Sequence, residues 1–154
     1  MSILIWSEND IPSQKNKTII ITGASSGLGM QATKVLIQKE ATVIMAVRNI
    51  EKGEAVAAEI RNKFPEAKID VRNLDLSNLK SVKSFAQDFT NDYSQLDTLI
   101  NNAGVMMCPY SKTADGLELQ MGTNHFGHFA LTGHLMPLLK STDNSRLIIT
   151  SSLA

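Results

Sequence analysis

Three glycines stand in the run Thr22-Gly23-Ala24-Ser25-Ser26-Gly27-Leu28-Gly29. The run follows Thr18 to Thr22, every residue of which is β-branched, as expected of a strand buried on both faces. After it, Leu28, Ala32, Val35 and Leu36 recur at helical spacing. A strand that turns directly into a helix presents the helix's first, unpaired N–H groups and its positive dipole end to an anion. Gly23 suits the tight exit from the strand, Gly27 lets a pyrophosphate approach the backbone, and Gly29 lets the helix pack close to the sheet. Ser25, Ser26 and Leu28 complete the candidate cradle. No Gly-Lys-Ser/Thr follows, which excludes a Walker-type phosphate loop and points to a dinucleotide.

A dinucleotide site for NAD usually carries an acid at the tip of the second strand, about 20 residues after the glycine turn. Here that tip reads Ala46-Val47-Arg48-Asn49. The planar fork of Arg48 can pair with a ribose 2′-phosphate. The expected cofactor is therefore NADP(H) in preference to NAD(H). Metal chemistry is not expected. His125, His128 and His134 have no carboxylate or further His at ligand spacing, and Cys108 is the single cysteine.

The elements that must position these residues alternate. Strands are predicted at Thr18 to Thr22, Thr42 to Val47, Lys68 to Leu74, Leu96 to Ile100 and Leu147 to Thr150. Between them lie helical patterns at Leu28 to Gln38, Ile50 to Phe64 and Leu79 to Phe89, the last expected to be capped by Ser77. Residues 104–114 read as a loop, and Leu117 to Leu139 as one long helix ending near Pro137. Strand–helix alternation of this kind predicts an α/β fold, a Rossmann-type doubly wound parallel sheet with its ligand at the point where strand order reverses. Residues 1–16 read as an N-terminal leader and 17–154 as one NAD(P)-binding domain, truncated after the fifth strand.

Composition narrows the function classes. The chain has 154 residues, 15 basic and 15 acidic side chains, and 43% hydrophobic residues. That supports one domain with a real core. Zero formal charge without a basic patch argues against nucleic acid as partner. No apolar run approaches the roughly 20 residues of a membrane helix, and Met1 to Pro12 lacks a secretion signal. With one cysteine, a reducing, cytoplasmic setting is expected.

The glycine turn, Ala46 to Asn49, Leu74-Asp75-Leu76, Asn101-Asn102-Ala103-Gly104, Thr123 to Phe129 and Arg146 to Ala154 together resemble the short-chain dehydrogenase/reductase family, in its retinol-dehydrogenase-like branch. The likeness runs from about Lys17 to the end. It implies hydride transfer between NADP(H) and an alcohol or carbonyl, which the family branch alone suggests is retinoid or otherwise apolar. It also implies roles. Asp75 would accept from the adenine amino group, with Leu76 offering its backbone. Asn102, Ala103 and Gly104 would leave room for the adenosine ribose and the nicotinamide half. Asn124 would hold a water of the proton relay. Ser152 would hydrogen-bond the substrate carbonyl, with Ser151 as the fallback. Asn124 and Gly127 also weaken a helix interior on adjacent turns, which predicts a local distortion there.

Two departures stand out. The family supplies its proton from a Tyr with a Lys four residues on, after the Ser. Here Tyr93 is followed at that spacing by Asp97 and Tyr110 by Ala114, and both precede Ser152. The 154 residues alone are therefore expected to be inactive, since a general acid is worth roughly 10²- to 10⁴-fold in rate. The alternatives are a non-catalytic NADP(H)-binding module or a nonfunctional gene fragment. The fifth strand is expected to be a bare edge. The second departure is Glu40, where a family member usually has the glycine that ends the first helix; positive φ there would strain it. Phe126, Phe129 and Leu135 read either as a homo-oligomer contact or as core.

Overall fold

The computed structural model describes residues 7–151. After a single 3-10 turn at Glu8–Asp10 come β1 (Thr18–Thr22), α1 (Gly27–Gln38), β2 (Thr42–Val47), α2 (Ile50–Lys63), β3 (Lys68–Asn73), α3 (Leu79–Asp92) and β4 (Thr98–Asn101). A short α4 (Leu119–Met121) then runs through a π-helical turn, Gly122–Gly127, into α5 (His128–Ser141), and β5 (Arg146–Ile149) follows. The five strands are all parallel, in the order β3-β2-β1-β4-β5. The order reverses between β1 and β4, so the crevice predicted for the ligand lies above their C-terminal ends.

Alternation along β1 divides the core between the two faces of the sheet. Ile19 and Ile21 join Val43, Met45 and Val47 against Ile37, Val56 and Ile60 of α1 and α2. Ile20 joins Ile44 and Leu99 against Val82, Phe85, Phe89, Leu131 and Leu135 of α3 and α5. Burying either face of a β-branched strand this fully contributes about 1.5–3 kcal/mol per side chain before chain entropy is counted. At the far end of the strands, the Asp97 carboxylate accepts from the Thr18 N–H and from Lys17 Nζ, both at 2.8 Å, tying the start of β1 to β4.

The predicted elements differ from the observed ones at the cap of α3, along the long helix, and by one or two residues at strand ends. Asn78, not Ser77, caps α3: its side chain accepts from the N–H groups of Lys80 and Ser81. Ser77 is instead engaged by Asp75. The long helix of 117–139 is broken into α4, the π turn and α5, and it continues past Pro137 to Ser141. Pro137 thus lies inside α5 instead of ending it. Leu135 is buried while Phe126 and Phe129 are exposed, so the three do not form one face. Every residue of β5 is exposed, as expected of an edge.

Glu40 has φ of 71°. It sits at the end of α1 in a complete Schellman motif, with its N–H on the Ile37 carbonyl and the Ala41 N–H on that of Leu36. The position does require the left-handed conformation, and the chain meets it without glycine.

Candidate dinucleotide cleft

A cleft of about 460 Å³ opens above the C-terminal ends of β1, β2 and β4. Of the candidate residues, Gly23, Ser25, Ser26, Leu28, Arg48, Asp75, Leu76, Asn102, Ala103 and Gly104 line it. Its size suits a small-molecule ligand. Gly27 and Gly29 are not on its wall, and Ser152 lies outside the described residues.

The glycine turn is built by close approach. Gly23 has φ of 68°, and a Cβ on it would stand 2.9 Å from the Ala103 Cα. A Cβ on Gly29 would stand 2.6 Å from the Gly23 carbonyl oxygen and 2.7 Å from Asn102 Nδ2. Gly29 thus packs the start of α1 onto the turn and onto the exit of β4, as its position predicted. Gly27 is different: its φ is 52°, and a Cβ there would meet nothing within 4 Å. Its need for glycine is conformational, and the space beside it is open to a ligand.

Helix ends distinguish the site. The first turns of α2 and α3 are closed by the side chains of Asn49 and Asn78. At α1 the N-cap Ser26 makes no side-chain capping bond. The first amides of α1 therefore keep their hydrogen-bonding capacity for an anion in the cleft. This is the observation by which the residues present fit a dinucleotide diphosphate.

Beyond the turn, the two strand exits are stapled together. Thr22 Oγ1, fully buried, accepts the N–H groups of Asn102 and Ala103 at 2.9 Å each, and Asn102 Nδ2 donates to the Thr22 carbonyl at 2.9 Å. Sequence reasoning missed Thr22 as a site residue; the signal was a hydroxyl at the last position of a buried strand. It also missed Lys52. Lys52 lies on the cleft wall with Arg48 and Asn49, in the first turn of α2. A cation four residues after Arg48 on a helix start was the available signal.

Asp75 Oδ1 accepts from both the N–H and the hydroxyl of Ser77, at 2.9 and 2.6 Å. The loop-carboxylate role is thus real, and Asp75 also lies on the cleft wall. Asn124 does not line the cleft. Its side chain closes a pair of bonds with Val105, Oδ1 accepting the N–H and Nδ2 donating to the carbonyl, each at 2.8 Å. That pins the segment after Gly104 to the π turn. The predicted distortion is this π turn, and it leaves the Asn124 carbonyl bonded to His128 Nδ1 at 2.9 Å. Gly127 serves packing: a Cβ on it would overlap the Leu76 carbonyl oxygen. Beside Asn124, the Thr123 hydroxyl oxygen is buried without a partner among the described residues, and Thr123 lines the cleft.

Comparison with known proteins agrees with this architecture. The family model for short chain dehydrogenase matches residues 17–154. The chain is 50% identical to human (Homo sapiens) retinol dehydrogenase 11 over 138 residues, which is 90% of this chain and 43% of that protein. It spans less than half the length of the curated relatives it matches. Among solved structures, an uncharacterized protein from Mycobacterium paratuberculosis superposes with a TM-score of 0.84 at 47% identity, over 96% of this chain and 50% of that one. A short chain dehydrogenase from Escherichia coli CFT073, complexed with NADPH, superposes with a TM-score of 0.78 at 33% identity, over 90% of this chain and 59% of that one. With the parallel sheet, the glycine turn at its switch point and the family match over all of 17–154 in agreement, the chain belongs to the short-chain dehydrogenase/reductase family, with a retinol-dehydrogenase-like sequence.

Proposed function

We propose that these residues form the NADP(H)-binding portion of an oxidoreductase acting on an alcohol or carbonyl. The single observation that carries this is the uncapped N-terminus of α1 opening onto a cleft whose other wall holds Arg48 and Lys52. The amides of Ser26 to Leu28 would hold the diphosphate, and Gly23, Gly27 and Gly29 would allow its approach. Arg48 and Lys52 would take a 2′-phosphate; no acid lies at the tip of β2 to hold a free hydroxyl. Asp75, with Oδ1 committed to Ser77, offers Oδ2 to the adenine amino group, beside the Leu76 backbone. Asn102, Ala103 and Gly104 would face the ribose and the nicotinamide half.

When bound, NADP(H) supplies the hydride to a carbonyl or accepts one from an alcohol. Ser152, with Ser151 as fallback, would orient the substrate oxygen. Asn124 would act through its backbone carbonyl, since its carboxamide is committed to Val105. The names of the curated relatives favour an apolar substrate of the retinol class. We read residues 17–154 as one domain preceded by a leader, and the cytoplasm as its compartment, on the single Cys108. Among the described residues no helix is long and apolar enough to cross a membrane. Exposed Phe126 and Phe129 favour self-association.

Calorimetric titration with NADPH and NADH tests the cofactor assignment; tighter NADH binding would remove it. The 154-residue chain mixed with NADPH and an apolar aldehyde is expected to bind without oxidising the nucleotide, and measurable oxidation would refute this.

A further inference from the structure

His128 is buried and makes two hydrogen bonds. Its Nδ1 faces the Asn124 carbonyl at 2.9 Å, and its Nε2 faces Thr22 Oγ1 at 2.8 Å. A carbonyl oxygen only accepts, so Nδ1 must carry a proton. Thr22 Oγ1 already accepts two N–H groups, from Asn102 and Ala103, which fills its two lone pairs. Its own proton must then be donated. The Ile100 carbonyl lies at 3.4 Å and His128 Nε2 at 2.8 Å, so the ring nitrogen is the better acceptor. Nε2 is therefore unprotonated. A doubly protonated ring would ask Thr22 Oγ1 to accept three donors. Burial, which disfavours the imidazolium, acts in the same direction.

We propose that His128, held as the neutral Nδ1–H tautomer, is a positioning residue of the dinucleotide cleft: through the Thr22 hydroxyl it fixes the Asn102 and Ala103 amides on the cleft wall. The chain of bonds is directional. His128 Nδ1–H donates to Asn124 at the π turn, Thr22 donates to His128, and the exit of β4 donates to Thr22. Three elements that meet only in the tertiary structure are thereby set in one register. His128 itself does not line the cleft, so its effect on a ligand passes through Thr22. The proposal rests on the reading of the cleft as a dinucleotide site, but the tautomer is a property of the chain without nucleotide.

The test has two parts. Long-range proton–nitrogen NMR of the unaltered 154-residue chain is expected to show Nδ1 protonated and Nε2 bare at neutral pH. A protonated Nε2 overturns the proposal, even if no variant folds. NADPH titration of His128→Phe and His128→Gln gives the second part. Phe leaves the Thr22 proton without its ring acceptor and is expected to weaken binding about tenfold, the size of one buried hydrogen bond. Gln can return an acceptor oxygen near the position of Nε2 and is expected to recover most of that loss. Equal affinity of a folded His128→Phe overturns the proposal. If the unaltered chain binds no NADPH, the cofactor reading fails, and the tautomer still decides the network.

Discussion

Asn102 grips Thr22 twice: its backbone N–H reaches the Thr22 hydroxyl and its side-chain amide reaches the Thr22 carbonyl, both at 2.9 Å. The end of β4 is thus latched to the end of β1 at the sheet's switch point. The cleft sits directly on this latch, so changes that loosen it should be read first in nucleotide affinity.

Gly29→Ala is the sharpest such change. A methyl there would press on the Gly23 carbonyl, next to Thr22, and on Asn102 Nδ2, the side-chain donor of the latch. Overpacking of this kind costs about 1–3 kcal/mol. Urea unfolding should report that loss, and calorimetry should show NADPH binding weakened by at least about tenfold.

Arg48→Gln and Lys52→Gln address the 2′-phosphate. Each removes one cation from the same cleft wall. A charge-assisted bond is worth about 1.5–3 kcal/mol, so each variant should weaken NADPH about ten- to hundredfold and leave NADH nearly unchanged. Loss of both affinities to the same degree would instead mark a general effect on the fold.

The pH dependence of stability follows from His128. Burial holds its pKa below the ordinary imidazole value, the bond to the Asn124 carbonyl opposing this in part. The unfolded chain titrates near about 6.5. Below that pH the unfolded state binds more protons than the folded one, so stability is complete above about 6.5 and falls as pH drops toward the folded pKa. Unfolding midpoints measured between about pH 7.5 and 5 should fall with acid in the unaltered chain and fall less in His128→Gln.

Glu40→Gly should stabilise. With φ of 71°, Glu40 pays the left-handed penalty that glycine avoids. That penalty is about 1 kcal/mol, partly offset by glycine's greater unfolded entropy and by loss of the exposed Ser13 bond to the Glu40 carboxylate. A gain of roughly 0.5 kcal/mol in urea unfolding is expected, with NADPH affinity unaltered, because α1 ends far from the cleft.

The strands, the three-helix alternation and the glycine turn were legible in the sequence because each rests on local patterns: β-branched runs, helical spacing and glycine between them. The strain at Glu40 was legible for the same reason, since a helix end is a local event. In 117–139 a distortion at Asn124 and Gly127 was legible, but its form, a π turn separating α4 from α5, was not. The segment's hydrophobic pattern is continuous, and the break at Gly122–Gly127 comes from the close approach of Gly127 to the Leu76 carbonyl and from Asn124 binding Val105, both long-range contacts. Nor could the choice between Ser77 and Asn78 as cap be made locally, because Asp75 competes for Ser77. The sequence by itself determined a glycine turn between a buried strand and a helix, since a strand–turn–helix is set by short-range patterns. Only the tertiary structure decided that Thr22 and His128 meet the exit of β4 beneath the cleft, because packing parallel strands in the order 3-2-1-4-5 brings together side chains that lie as many as 106 residues apart.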